Sequence, residues 1–229
     1  MFKYELHAHC SEVSRCGRST ALEMAKAFKS VGYSGMVFTD HFIYGNTNIP
    51  HSGKWEDRMK MIFDSYKEAE EFGRKNDFLV IPGIEHHYGH GKEVLVYGNI
   101  TFEDLAAHPE IETMNIKEFC ALCHSLGWFV SQAHPFRERG YIEPGIAINT
   151  GILDGIEVYN HCNNSKENQK AVLLCAKEDL IPTSGSDTHD SSLCGKAGIA
   201  LDFKISNGHE LARALFDRKA KIIVDGKVI

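Results

Sequence analysis

Five segments of the sequence each end in side chains that are able to bind a metal ion. The first lies almost at the N-terminus, where an apolar strand pattern leads into His7-Ala8-His9. Side chains two residues apart in an extended strand point to the same face, so these two imidazoles lie side by side. The other four are Gly35–His41, Leu79–Glu85, Trp128–His134 and Ile181–His189. The fold must therefore bring the ends of at least five strands to one place.

Strand and helix patterns alternate about seven times along the chain. A capping box at Thr20 opens the first helix, and a later helix has Trp55, Met59 and Ile62 at helical spacing. Such alternation predicts a parallel sheet with crossover helices. An open sheet gathers ligands from two or three strand ends, whereas a closed barrel lets five converge at its C-terminal face. We therefore predict an α/β fold, a distorted TIM-like (β/α)7 barrel forming a single domain over residues 1–229.

Composition narrows the class of protein. A chain of 229 residues with 43% hydrophobic residues is typical of one globular domain. No apolar run approaches the roughly 18 to 20 residues of a membrane span, and Met1–Tyr4 leads into the first strand without the regions of a signal peptide. These features predict a cytoplasmic protein that does not bind membranes. The net charge of -6 and the absence of a dense Lys/Arg stripe predict no dedicated nucleic-acid-binding surface.

Cysteine and histidine usage points away from disulfides and towards metal. The seven cysteines are scattered, so a disulfide framework is not expected. Cys120 and Cys123 form a CxxC, but they sit in a helical pattern, and we interpret them as packed helix residues. The thirteen histidines are an unusual excess, and imidazole is the commonest protein metal ligand.

The predicted strand ends supply five imidazoles and two carboxylates: His7, His9, His41, Glu85, His134, Asp187 and His189. This set is too large for one ion, since a catalytic zinc uses about three protein ligands and a structural zinc about four. It suits two or three divalent ions, with Glu85 as the carboxylate that bridges a pair. Mixed histidine and carboxylate ligation fits manganese, zinc and iron. Without metal, so many titratable groups in one cleft would compete for protons or repel one another.

Such a site predicts phosphate ester hydrolysis. Metal lowers the pKa of bound water from about 15.7 to near 7, which makes a metal-bridging hydroxide available as nucleophile. The same ions neutralise phosphate oxygens, so a small phosphorylated substrate is expected. We predict His161 as the acid for the leaving oxygen, and Arg137 and Asn160, with Arg15 and Arg18 less favoured, as substrate-binding residues. A solvated loop or surface position is the alternative for each of them.

The motifs resemble those of the PHP (polymerase and histidinol phosphatase) superfamily of metal-dependent phosphoesterases. The matching motifs, in the family's order, are His7-Ala8-His9, Thr39-Asp40-His41, Gly83-Ile84-Glu85, Ala133-His134-Pro135 and Gly185-Ser186-Asp187-Thr188-His189. Each motif alone is weak, but the ordered set is specific and spans residues 7 to 189. The resemblance implies a distorted seven-stranded barrel, a di- or trinuclear site holding manganese, zinc or iron, and hydrolysis of phosphoesters.

Two positions depart from the family pattern. After the His-x-His the family commonly supplies another Asp or His ligand, for which this chain offers Glu12 and, as a weaker substitute, Cys16. Before the short fourth strand the family often has a His, and this chain has Glu93. We include Glu12 and Glu93 as candidate ligands. If neither binds, the resemblance implies two ions rather than three. The chain looks like a stand-alone PHP domain.

Two other functions remain as alternatives. An amidohydrolase-type hydrolase also opens with His-x-His, but that class usually bridges its metals with a modified lysine. A non-catalytic, metal-binding regulatory PHP domain is the other alternative, which the substituted Glu12 and Glu93 positions keep open. Both a phosphate monoester and a phosphate diester fit the sequence as substrate, and any oligomeric state is compatible with it.

Overall fold

The structure, a computed structural model, describes residues 1–229 and contains eleven strands and six α-helices. The strands are β1 Phe2–Ala8, β2 Gly35–Phe38, β3 Leu79–Pro82, β4 Ile84–His87, β5 Glu93–Tyr97, β6 Phe129–Gln132, β7 Gly155–Asn160, β8 Ile181–Gly185, β9 Ala197–Leu201, β10 Lys221–Val224 and β11 Lys227–Val228. The helices are α1 Ala21–Ser30, α2 Trp55–Asn76, α3 Phe102–Ala106, α4 Ile116–Ser125, α5 Ser165–Lys177 and α6 Gly208–Phe216. Short 3-10 turns lie at Pro109–Thr113, Thr150–Ile152 and Ser191–Leu193.

The strands form two sheets. The first sheet has the order β11-β10-β9-β1-β2-β3, and the second has the order β4-β5-β6-β7-β8. Each contains a parallel core, β1-β2-β3 in the first and β6-β7-β8 in the second, to which antiparallel strands are added. Isolated bridges between His41 and Glu85 and between Ala8 and Thr188 link the two sheets. Both bridges lie at the strand ends that carry the candidate ligands.

The α/β class is confirmed, but the TIM-like (β/α)7 barrel is not, because no closed barrel is found. Two features interrupt the uniform parallel order. The predicted strand Leu79–Glu85 divides at Gly83 into β3 and β4, which belong to different sheets. In addition, β4 and β5 form an antiparallel hairpin in which His87 pairs with Glu93, so no crossover helix joins them. The chain therefore reaches the same convergence of strand ends with two sheets.

Side chains from both sheets fill the space between them. Leu6, Val37, Ile81, Leu95 and Phe129 come from five strands of the two sheets and belong to one buried cluster. The removal of this apolar surface from water holds the sheets together. A larger cluster lies where the helices pack on the sheets. None of the helices is long and apolar enough to cross a membrane.

The helices begin and pack as their sequences predict. Thr20 caps α1 and forms the expected capping box with Glu23. Trp55, Met59 and Ile62 lie on the buried face of α2. The seven cysteines are free, and those of the CxxC are buried in α4.

We predict that Gly198→Ala destabilises the fold. Gly198 lies in β9 with φ +114°, and an added Cβ would lie 2.2 Å from the carbonyl oxygen of Tyr4 in β1. Strain at a positive φ and overpacking together should lower the free energy of unfolding by about 2 to 5 kcal/mol. Urea denaturation measures this change. Gly140→Ala is the matched control, because open space surrounds that position and the change should stay within about 1 kcal/mol. Equal stability of the two variants would contradict the prediction.

Candidate metal centre

The structure brings all seven predicted strand-end ligands together. His7 and Ala8 are the last two residues of β1, and His9 follows directly. His134 lies two residues beyond the end of β6, and Asp187 lies two residues beyond the end of β8. Five of the seven line a cleft of about 470 Å³: His41, Glu85, His134, Asp187 and His189. His7 and His9 are fully buried beside them. Parallel strands place their C-terminal ends at one edge, which explains this convergence.

Glu85 lies at the centre of the cluster, in contact with four imidazoles. Its Oε1 is 3.0 Å from His7 Nε2 and 3.1 Å from His134 Nε2. Its Oε2 is 2.7 Å from His41 Nδ1 and 3.6 Å from His9 Nε2. The side chain is almost completely buried. A carboxylate that bridges two ions, the role predicted for Glu85, must reach both sides of the cluster in this way.

Two further carboxylates complete the cluster. Asp187 Oδ1 lies 3.2 Å from His9 Nε2 and 3.5 Å from His7 Nε2. Glu93, a less favoured candidate in the sequence, lies 3.3 Å from His41 Nδ1 and 3.4 Å from His134 Nε2. Glu93 therefore faces the same space as the seven main residues.

Several buried atoms of the cluster have no hydrogen-bond partner. These atoms are His7 Nε2, His9 Nε2, His41 Nδ1 and Glu85 Oε2. They lie close to one another without hydrogen-bond geometry, so their lone pairs face a shared space. Buried polar atoms without partners are rare and costly in folded proteins. Divalent cations in that space would satisfy all four atoms, and the residues present therefore fit the metal ions that the sequence predicts.

Hydrogen bonds behind the cluster fix the tautomers of three imidazoles. His7 Nδ1 donates to Glu157 Oε1 at 2.9 Å, and His189 Nδ1 donates to the carbonyl oxygen of Asp187 at 2.9 Å. Ser14 Oγ donates to Asp40 Oδ1 at 2.7 Å and therefore accepts from His9 Nδ1, 3.1 Å away. In each imidazole Nδ1 is engaged behind the cluster, so Nε2 is the nitrogen that a metal would bind in place of a proton.

Glu157 and Ser14 are not among the site residues predicted from the sequence. Glu157 is a buried carboxylate on β7, and its Oε2 also accepts from the backbone N–H of His134 at 2.8 Å. A charged residue inside the otherwise apolar run Gly155–Val158 is a signal that could have found it. Ser14 lies in a polar loop and has no comparable signal.

The two central carboxylates are ionised. Burial favours the neutral form of Glu85, but the charges of His41 and His7 outweigh burial and hold its pKa well below the usual value. Burial likewise opposes ionisation of Asp187, and His7 and Arg137 hold its pKa well below the usual value. The Arg137 guanidinium lies 2.6 Å from Asp187 Oδ2. Ionised carboxylates are the form that binds metal.

Three predicted residues lie outside the cleft. The carboxylate of Glu12 accepts from the backbone N–H of Ala21 at the start of α1, so the structure turns it away from the predicted metal position. Arg15 is exposed and does not line the cleft. His161 lines a neighbouring cavity of about 310 Å³, with its Nδ1 3.2 Å from the Tyr159 hydroxyl.

The predicted substrate-binding residues Arg137 and Asn160 are engaged within the protein. Arg137 lines the cleft, but it donates to Asn163 at 2.8 Å and to Asn160 at 2.9 Å in addition to its ion pair with Asp187. Asn160 is fully buried, and its amide donates to Glu157 at 2.9 Å. Both residues therefore position the ligand set, and Asn160 offers no surface to a substrate.

No protein-family model and no curated protein matches the sequence. The chain is similar to a two-domain protein from Bacteroides vulgatus containing a predicted PHP-like metal-dependent phosphoesterase, with TM-score 0.67, 16% identity and coverage of 99% of this chain and 66% of that chain. It is similar to the lesion-specific endonuclease EndoQ from Pyrococcus furiosus, with TM-score 0.65, 14% identity and coverage of 94% and 56%. An amidohydrolase from Chromobacterium violaceum matches with TM-score 0.57, 15% identity and coverage of 82% and 87%.

The chain therefore has a PHP-type fold. It spans 66% of the two-domain protein and 56% of EndoQ, so these proteins contain parts that the chain does not match. One structure of endonuclease Q holds a 27-mer duplex with an abasic lesion at its active site. The predictions of a small substrate and of no nucleic-acid surface are not supported, since a protein with this fold binds DNA.

We predict that Ser14→Ala weakens metal binding while the fold remains. The variant removes the acceptor that orients His9, whereas Asp40 keeps its bonds from Cys10 N and the Tyr66 hydroxyl. Loss of such an outer partner lowers metal affinity by about 10- to 100-fold. Competition with a chromophoric zinc chelator measures the affinity. Ser11→Ala is the matched control, since the Ser11 hydroxyl bonds only to Glu12. The prediction fails if both variants bind zinc as the wild type does.

Proposed function

We propose that the protein is a metal-dependent phosphoesterase whose cleft holds two or three divalent ions. The observation that carries this proposal is the position of Glu85, a buried carboxylate between four imidazoles, because its Oε2 and the facing nitrogens of His7, His9 and His41 have no hydrogen-bond partner. The PHP-type fold supports it, because a structural neighbour contains a predicted PHP-like metal-dependent phosphoesterase.

Four groups of three residues support more than one ion. Within each group the ligand atoms lie within 4.8 Å of one another. The groups are His7 with His9 and Glu85; His7 with His134 and Asp187; His41 with Glu85 and Glu93; and His9 with His41 and His189. The groups share residues, so they describe two or three neighbouring ions rather than four. Manganese, zinc and iron all accept this mixture of imidazole and carboxylate.

The bound ions would supply a water nucleophile of lowered pKa and would neutralise the phosphate oxygens. The residues of the chain hold and orient this centre. Glu85 lies between the two sides of the cluster, and Arg137 fixes Asp187. Asp187 and His189 line both the cleft and the cavity that His161 lines, so a leaving group that extends into this cavity would contact His161.

The amidohydrolase alternative has less support in the site. No lysine lines the cleft. The nearby Lys92 ammonium donates to the carbonyl oxygen of Pro135, and Glu85 occupies the bridging position. A modified lysine therefore has no place in this cluster, although a structural neighbour is an amidohydrolase.

The substrate class stays within phosphate esters. A small phosphorylated molecule and a phosphodiester in nucleic acid both fit the proposed chemistry. EndoQ, with the same fold, carries an abasic DNA duplex at its active site, so duplex DNA with an abasic site belongs among the substrates to be tested.

We expect the purified protein to contain two or three equivalents of divalent metal and to hydrolyse an aryl phosphate or its diester. Chelation should abolish turnover, and re-addition of manganese, zinc or iron should restore it. Asp187→Ala and His134→Ala should lower kcat/KM by at least about 100-fold, because each removes a ligand from the cluster. Elemental analysis and steady-state kinetics measure these effects.

Glu12→Gln is the matched control for carboxylate loss. Its carboxylate accepts only from the Ala21 backbone N–H and the Ser11 hydroxyl, outside the cluster, so metal content and turnover should remain close to those of the wild type. Protein that cannot be loaded with metal would refute the proposal. Full metal occupancy without turnover on any phosphoester would instead favour the regulatory domain or the amidohydrolase alternative.

A further inference from the structure

One of the four ligand groups differs from the others in chemistry. His9, His41 and His189 form a group made of imidazoles alone, with ring centroids 4.5 Å apart for His9 and His41 and 4.3 Å apart for His9 and His189. Each of the other groups contains a carboxylate. Within this group a cation would have three imidazole ligands and no anionic ligand.

The loop after β1 brings a thiol to this group. Cys16 is partly buried and lines the cleft together with His41 and His189. Glu12, the other acidic side chain of this loop, is directed to the start of α1. Of the two substitutes that the sequence offers, only Cys16 reaches the cluster.

Backbone contacts of the two residues after Cys16 hold it beside the cleft. Gly17 packs so closely on Cys10 that an added Cβ would lie 2.5 Å from the Cys10 carbonyl carbon. The next residue, Arg18, donates its backbone N–H to the carbonyl oxygen of His189 at 2.7 Å. The chain on the C-terminal side of Cys16 is thus tied to both the first and the last metal-binding segments.

An independent observation shows that this space suits a ligand. His9 Nε2 belongs to a fully buried side chain, faces the group, and has no hydrogen-bond partner. His189 donates through Nδ1 to Asp187, so its Nε2 lone pair is also free. Buried imidazole nitrogens with free lone pairs are the usual ligands of a transition metal.

We propose that Cys16 is a thiolate ligand of a third metal ion, together with His41 and His189. This inference rests on the proposed metallophosphoesterase function and assigns the third position of that site. On binding, the metal–sulfur bond replaces the S–H bond and the proton passes to solvent, with no change of oxidation state.

The thiolate should determine which metal fills this position. Thiolate ligands favour zinc and iron, whereas manganese prefers oxygen ligands. The mixed carboxylate groups around Glu85 accept all three metals. The protein should therefore bind one more equivalent of zinc than of manganese.

Cobalt substitution tests the inference directly. The cobalt-loaded protein should show a sulfur-to-cobalt charge-transfer band, which Cys16→Ser should abolish while the equivalents bound by the carboxylate groups remain. Cys162→Ser is the matched control, because Cys162 is exposed and lines the adjoining cavity with Cys16, and it should keep the band. Cys16→Asp should allow manganese to fill the third position, since it replaces sulfur by oxygen.

A second measurement on the wild type covers failure of a variant to fold. Alkylation followed by peptide mapping should label Cys16 in the metal-free protein and leave it unlabelled in the zinc-loaded protein. Cobalt-loaded protein without the band, a band that survives in Cys16→Ser, or equal labelling of Cys16 with and without zinc would overturn the inference. Metal binding and turnover would persist in these cases, so the proposed function would stand. Protein that binds no metal would overturn both.

Discussion

The burial of the Glu85 carboxylate among four imidazoles is the interaction on which the rest of this structure depends. Removing a charged carboxylate from water is costly unless charges or hydrogen bonds compensate. Here the compensation comes from side chains on β1 and in the loops after β2 and β6, so both sheets contribute. With cations bound, the same ligands would be satisfied without shared protons, so metal loading and folding stability are coupled.

The two-sheet arrangement brings together the side chains that compensate the buried charge of Glu85. Gly83 lets the chain pass from β3 in the first sheet to β4 in the second, where an added Cβ would lie 2.5 Å from Val37 Cγ1. This transfer carries Glu85 opposite His41, and the two residues form a bridge between the sheets. The site is therefore also a joint of the fold, and the tautomer-fixing bonds from Glu157 and Ser14 lie directly behind it. Loss of Glu157 or Ser14 would first change the orientation of the imidazole that it holds, His7 or His9.

The sequence predicted the convergence of ligands far better than the path of the strands. His7, His9 and Asp187 lie at or just beyond the ends of apolar strand patterns, and such patterns are visible in the local sequence. A closed barrel was expected because an apolar run reads alike in parallel and antiparallel strands, so neither the break at Gly83 nor the β4-β5 hairpin could be recognised. The direction of a loop side chain depends on tertiary contacts that spacing does not encode. For that reason Glu12 was preferred to Cys16, although the contact of Gly17 with Cys10 directs the loop the other way.

The charges of the cleft link substrate binding to metal binding. Arg137 is the only lysine or arginine that lines it, and its guanidinium is already engaged by Asp187 and by two asparagines. The charges of Arg137 and of the imidazoles are taken up by Glu85, Glu93 and Asp187, so the metal-free cleft offers a phosphate no unpaired positive charge. Attraction for a phosphate ester must therefore come from the bound cations. Because coupling between two ligands is reciprocal, a phosphate that binds through these ions should raise the affinity of the cleft for metal by the same factor.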